Sequence, residues 1–180
     1  MAEEQAMASE PAPEDPPAPI EAKVTPQAGD YQYFQLWDFF HSPVGIGFSV
    51  IAGGYAALTV YGIIVARGVP SLSIFWPLLL FLLLVASIAL GARRAFATTP
   101  LLREPKTYLV DAEGLALESR SLSVRSAWRE LSKVAESNKA FFFYIARGQA
   151  HILPKRALAD PADAARLREL ARAHGPRKRR

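Results

Sequence analysis

Cysteine is absent from these 180 residues, which removes disulfides, iron–sulfur clusters, thiolate catalysis and cysteine zinc sites at once. Histidine is scarce. His41, His151 and His174 are scattered without metal-ligand spacing, so solvent-facing or structural roles outweigh coordination and no cofactor is expected. There is no glycine-rich phosphate loop, no nucleophile–base pair, and no pair of carboxylates that spacing would bring together. Asp38, His41, Glu104 and His151 are the only parts from which a catalytic site at a membrane boundary could be built, and an enzyme is the weakest of the readings.

Charge is missing from two long stretches. Residues 45–66, GIGFSVIAGGYAALTVYGIIVA, and 72–92, LSIFWPLLLFLLLVASIALGA, carry no charged side chain. The first, as a helix, extends about 33 Å and matches a hydrocarbon core of roughly 30 Å. A buried core helix would explain either run alone, but two of them joined only by residues 67–71 are hard to hide in so small a chain. A signal peptide would need a short basic start, whereas an acidic leader precedes the first run. The pair predicts two transmembrane helices, held antiparallel by a short connection with Gly68 and Pro70. Their lack of charge leaves a proton relay, ion pathway or transporter site without support. Ser49, Gly53 and Ala57 on the first helix, and Ser87 and Gly91 on the second, recur every four residues. That spacing lets two backbones approach, and packing within the hairpin is preferred to homodimerisation. Arg93, Arg94, Arg103 and Lys106 follow the second run while the connection holds only Arg67, so both termini are expected in the cytoplasm.

What surrounds the hairpin is uneven. Residues 1–19 form a Pro-, Glu- and Ala-rich acidic tail, expected to be disordered. Residues 20–44 hold a short strand and then DYQYFQLWDFFHSP, a helix with Asp30 as N-cap. Its polar positions Gln32, Gln35, Asp38 and Ser42 make one narrow stripe among Tyr33, Phe34, Trp37 and Phe40. Such a helix lies in the membrane interface or packs under a soluble domain. From Lys106 the period changes to two. KTYLVDAEGLALES predicts two strands around a turn at 111–114, with Gly114 supplying positive φ. SLSVRSAW predicts a strand with Leu122, Val124, Ser126 and Trp128 on one face. KVAES, a turn at Asn138 and Lys139, the aromatic run and a turn at Arg147 and Gly148 follow, and Pro154 marks the strand end. DPADAARLRELARAH predicts a helix capped by Asp160, with Pro161 first and Leu167, Leu170, Ala171 and His174 as its apolar stripe. Residues 106–174 thus make a β-rich domain with a C-terminal helix, and residues 175–180, GPRKRR, a basic tail.

The run YLVDAEGLALES, followed by SAWRELSKVAESNKAFFFYIARGQAHILPKRAL and a closing acidic-basic helix, resembles the YcxB-like family of bacterial membrane proteins. The likeness rests on the order of strand, turn and strand, Trp128 after a Ser-rich strand, the aromatics 141–144, and the exit Pro154, Lys155, Arg156; with the leader helix it covers about residues 20–174. The resemblance implies an α+β membrane protein: a two-helix hairpin carrying a small antiparallel sheet or barrel, pleckstrin-homology-like, capped by a C-terminal helix. It brings no biochemical activity with it. In that fold the apolar run 141–145, where a half-buried strand would alternate, must be covered on both faces. One face would enter the core with Trp128 and Leu117. The other would meet the closing helix or the aromatic leader.

The resulting expectation is a non-catalytic, membrane-anchored cytoplasmic interaction or regulatory module of a bacterial inner membrane. Its partners are the lipid bilayer and an unidentified protein, with no nucleic acid, and the oligomeric state is left open; a subunit of a larger envelope or transport complex is the alternative. Trp128, Phe141, Phe143 and Pro154 are assigned to the core. Lys155, Arg156, Arg177, Lys178, Arg179 and Arg180 are the candidates for lipid or partner contact. Pleckstrin-homology domains that bind phosphoinositides carry basic residues in the first hairpin; with 111–114 taken as that hairpin, Asp111 and Glu113 argue against such binding. Residues 1–44 have net charge −7 and residues 106–180 net charge +8; a solvated leader and a merely solubilising basic end are the preferred reading of that asymmetry, and competition of the acidic tail with lipid for the basic end is the alternative.

Overall fold

The computed structural model describes residues 18–65 and 75–176. The acidic tail up to residue 17, the connection with Arg67, Gly68 and Pro70, and the basic run Arg177, Lys178, Arg179 and Arg180 lie outside the described residues. The elements follow the order β1 (Ile20–Val24), α1 (Ala28–His41), α2 (Pro43–Ile64), α3 (Phe75–Thr98), α4 (Pro100–Arg103), β2 (Lys106–Val110), β3 (Gly114–Ser119), β4 (Ser123–Ala127), β5 (Lys133–Glu136), β6 (Ala140–Ala146), β7 (Gln149–Pro154) and α5 (Pro161–His174).

The period-2 sequence IEAKV buries Ile20, Ala22 and Val24 and exposes Glu21 and Lys23, as a strand with one wet face must. β1 is not an isolated leader. It pairs antiparallel with β2 from Ile20–Val110 to Val24–Lys106, although α1 to α4 separate the two strands in sequence. α1 starts at Ala28, earlier than the Asp30 cap expected, and the Asp30 carboxylate reaches back to accept the Gln27 N–H at 3.0 Å. Ser42, in extended conformation, breaks the chain between α1 and α2; its Oγ accepts the Gly45 N–H. Gly45 is required there by space, because a Cβ would run into the Phe39 carbonyl.

α2 and α3 are long, apolar and largely exposed, as candidate membrane spans are. They meet through Phe48, Ile51 and Ala52 on one side and Pro77, Leu80, Phe81 and Leu84 on the other. The small-residue stripe expected to join them does not do so. Gly53 and Gly91 have nothing within 4 Å of an added Cβ, and Ala57 and Ser87 are exposed. A step of one residue along a helix turns the stripe by 100°, and a neighbouring face with larger side chains looks toward the other helix instead.

β1 to β4 form one antiparallel sheet in sequence order, and β5 to β7 a second; among the described residues they do not close into a barrel. The turn at 111–114 is built by Asp111 Oδ1, which accepts the N–H groups of Glu113 and Gly114 at 2.8 and 2.9 Å. Gly114 does not have positive φ. It is glycine because a side chain would strike the backbone of Ser126 and Ala127 on β4; positive φ occurs at Gly148, 74°, in the β6–β7 turn. Trp128 stands just past β4 at the start of a 3-10 turn, buried, with Nε1–H donating to the Asp111 carbonyl at 3.0 Å. Leu122 is exposed instead of sharing its face, and Ile145 is exposed where a register shift interrupts the β6–β7 ladder. α5 is capped by Asp160, whose side chain accepts the Ala162 N–H, and drops Leu167 into the core with Leu170 and Ala171 beside it; His174 is exposed at its end.

The core between the sheets contains Tyr108, Leu115, Leu117, Trp128, Phe141, Phe143, Leu153 and Leu167. A second cluster of Phe34, Ala140, Phe142 and Tyr144 lies on the opposite face of β6. Trp128→Ala is expected to lower stability by about 3–5 kcal/mol, as large-to-small core changes do, and Trp128→Phe, which loses one hydrogen bond, by about 1 kcal/mol. Denaturant unfolding of the full-length protein in detergent separates the two. A fragment of residues 106–176 lacks β1 and α1 and exposes Phe142 and Tyr144. It is expected to aggregate when produced alone, and co-expression of residues 18–42 should restore a soluble complex, scored by size-exclusion chromatography.

Candidate functional site

Sequence places aromatics all around α1, and the structure uses both of its sides. Toward the domain, the Phe34 ring lies 5.3 Å from that of Phe142 and 5.9 Å from that of Tyr144, and Trp37 lies 5.0 Å from Phe142. Toward the hairpin, Gln32 Nε2 donates to the Ala89 carbonyl on α3 at 3.0 Å, and Phe40 meets Phe81 edge-on. The narrow polar stripe is engaged within the chain. Gln32 faces α3, Gln35 donates to the Tyr31 hydroxyl, and Asp38 accepts the Tyr144 O–H at 2.8 Å. Burial, reinforced by the Asp38 carboxylate, pushes the Tyr144 phenol above its ordinary range, so it stays a donor. At the start of α1, Arg156 grips both Asp30 oxygens at 2.5 and 2.6 Å, the two-pronged geometry a guanidinium suits.

Beside this ion pair lies a cavity of about 80 Å³, lined by residues of β1, β2, β7, the start of α1 and the α3–α4 junction. Gln27, Asp30, Tyr31, Lys106, Tyr108 and His151 supply its polar wall. Val24, Phe96, Leu102 and Ile152 are among its apolar lining. Burial lowers the pKa of Lys106 against a smaller opposing pull from Glu104. Burial, then the Lys106 charge, lowers that of His151, and burial raises that of Tyr108.

The residues singled out from sequence fall into separate places. Trp128, Phe141, Phe143 and Pro154 are buried. Lys155 and Arg156 each hold an acid of the same chain, Glu136 and Asp30. Glu136, on β5, also accepts from Arg168 of α5 at 2.8 to 3.1 Å, so one carboxylate ties the second sheet to the closing helix. The hydrogen bond from Arg168 is the largest influence on it; burial opposes, Lys155 assists, and the Glu136 pKa falls to about 2. Asp38, His41, Glu104 and His151 do not converge: Asp38 serves Tyr144, His41 stacks on Trp37, Glu104 accepts from Ser121, and His151 faces the inter-sheet mouth. Among the described residues no three carboxylates or imidazoles are grouped to hold a metal ion. The turn at 111–114 joins β2 to β3, and the β1–β2 connection runs through α1 to α4.

Sequence reasoning missed Asp30 as an ion-pair partner and Lys106 and Tyr108 as cavity walls. A signal existed for Lys106, a cation on the same alternating face as Tyr108 and Val110, where apolar residues are expected.

Two pH effects follow. A depressed carboxylate contributes stability above its unfolded pKa, so the Glu136 contribution is full above pH 4.5 and fades as pH falls toward 2. Glu136→Gln should flatten the stability curve in that acid window, measured by urea unfolding at a series of pH values. His151 has a lowered pKa, so its contribution is present above pH 6.5 and is lost as pH falls below that value. His151→Phe should remove the fall just below pH 6.5 while leaving the acid limb of Glu136 in place.

Residues 110–171 match the family model described as YcxB-like protein. No curated protein and no solved structure matches the chain. The match runs from the last residue of β2 into α5 and takes in Trp128, the aromatic strand β6 and the Pro154 exit. Residues 110–171 are therefore a YcxB-like segment of the chain.

Proposed function

We propose that the protein is a non-catalytic interaction or regulatory module fastened to a bacterial inner membrane by the α2–α3 hairpin, with both termini in the cytoplasm. The observation that carries the reading is the placement of α1, which packs on α3 with one side and on the outer face of β6 with the other. A domain merely tethered would hang from a linker. This one shares a helix with its anchor, and a helix bonded to both is the physical means by which a change at one can be felt at the other. Four strands in one sheet, three in the next and a C-terminal helix dropped into the core support a pleckstrin-homology-like fold with its first connection drawn out into the membrane. The partners of this reading are the bilayer and a protein yet to be identified, with no nucleic acid.

A subunit role in a larger envelope or transport complex is the second reading, favoured by the open surroundings of Gly53 and Gly91 on the hairpin. Replacing α2 and α3 with an unrelated hairpin that keeps the α1-facing residues separates the two. Retained partner capture supports the module, and loss supports the subunit.

For topology, Arg93 and Arg94 near the end of α3, with Arg103 following, support a cytoplasmic domain. Alkaline phosphatase fused after residue 176 should be inactive, and the same enzyme inserted between residues 65 and 75 should be active. The reverse pattern would overturn the orientation.

A further inference from the structure

Strand alternation puts Lys106, Tyr108 and Val110 on the face of β2 that looks into the space between the sheets, and His151 of β7 faces the same space opposite Phe143. Interior positions of this kind are filled by apolar residues elsewhere in both strands. Lys106 and His151 break that pattern at the mouth nearest the hairpin. Lys106 makes no salt bridge or hydrogen bond among the described residues, and His151 Nε2 is buried without a hydrogen-bond partner. A buried polar group without a partner costs roughly 1–3 kcal/mol and calls for an occupant that satisfies it. Both residues line the cavity of about 80 Å³ described above, which is larger than one water needs.

We propose that this cavity is a binding site for a phosphoryl oxyanion, with Lys106 as its counter-charge and His151 as a second polar contact. Three features of the wall fit a negative ligand. The Asp30 carboxylate that borders it is already held on both oxygens by Arg156, so it does not repel. The start of α1, at Gln27 and Asp30, brings the positive end of a helix to the rim. Tyr31, whose oxygen accepts from Gln35, keeps its own O–H proton for donation. The apolar wall at Phe96 and Leu102 belongs to the end of α3 and to α4, just past the apolar length of the second candidate span, where lipid phosphates would lie. The ligand chemistry is shared by a lipid headgroup and by free phosphate, and the test separates them.

The full-length protein is placed in phosphatidylcholine nanodiscs, and thermal unfolding is followed while sodium phosphate replaces chloride at constant ionic strength. A second arm uses phosphate-free buffer and nanodiscs containing phosphatidic acid. A rise in melting temperature with free phosphate identifies a soluble ligand, and a rise confined to phosphatidic acid identifies a headgroup. Lys106→Met should weaken the response about tenfold, the worth of one charge-assisted hydrogen bond. Lys106→Arg should keep it, and Lys139→Met, changing a cation stacked on Tyr33 away from the cavity, should leave it untouched. Should Lys106→Met fail to fold, the His151 ring ¹⁵N resonances of the wild-type protein read the site directly and should move on addition of phosphate or phosphatidic acid. No melting shift in either arm, a shift indifferent to Lys106→Met, or stationary His151 resonances would overturn the proposal.

Discussion

The structure depends on one strand that has no wet face. From Phe141 to Tyr144 every side chain of β6 is buried, Phe141 and Phe143 in the core between the sheets and Phe142 and Tyr144 on the back. Each aromatic withdraws on the order of 150–250 Å² from water, too much apolar surface to leave uncovered on either side. The sheets and α5 cover one face. Nothing else in the domain reaches the other, so α1 is held there, and because α1 runs directly into α2 the domain is joined to the α2–α3 hairpin by its own packing.

Polar contacts fix the position of α1 along that surface. Aromatic rings slide with little penalty, but Tyr144 to Asp38, Arg156 to Asp30 and Gln32 to Ala89 each allow only one register. Two of these three join α1 to the second sheet and its exit turn, and one joins it to α3. The energetic worth of exposed ion pairs is small. Their geometric worth is larger, since a shift of α1 by one turn would leave Asp38 and Tyr144 without each other.

The domain is consequently discontinuous in sequence. β1 completes the first sheet before the α2–α3 hairpin, and β2 resumes it beside β1 after it, so the hairpin is an insertion between two paired strands. Closing such an insertion costs entropy that grows only slowly with its length, which is why two long helices can sit inside a two-strand connection. The same arrangement leaves the mouth between β1, β2 and β7 next to the end of α3, where Lys106 and His151 stand.

Much was legible in the residues alone, wherever the determinant was local. The uncharged lengths 45–66 and 72–92, the period-2 segments after Pro105, the Asp160 cap and Pro161 of α5, and the Gly148 turn follow from side-chain hydropathy and backbone preference over a few positions. The need to cover both faces of β6 was also readable, but not which element would do so. That β1 belongs to the sheet, that Asp30 and Asp38 are partners of Arg156 and Tyr144, that Gly114 is chosen for space rather than for φ, and that Lys155 and Arg156 are engaged by acids of the same chain were decided by tertiary structure. Each of these joins residues from 12 to 126 positions apart, and no periodicity in a sequence reports which distant surfaces meet. Local chemistry determined the elements; the burial of one aromatic strand on both sides determined how they assemble.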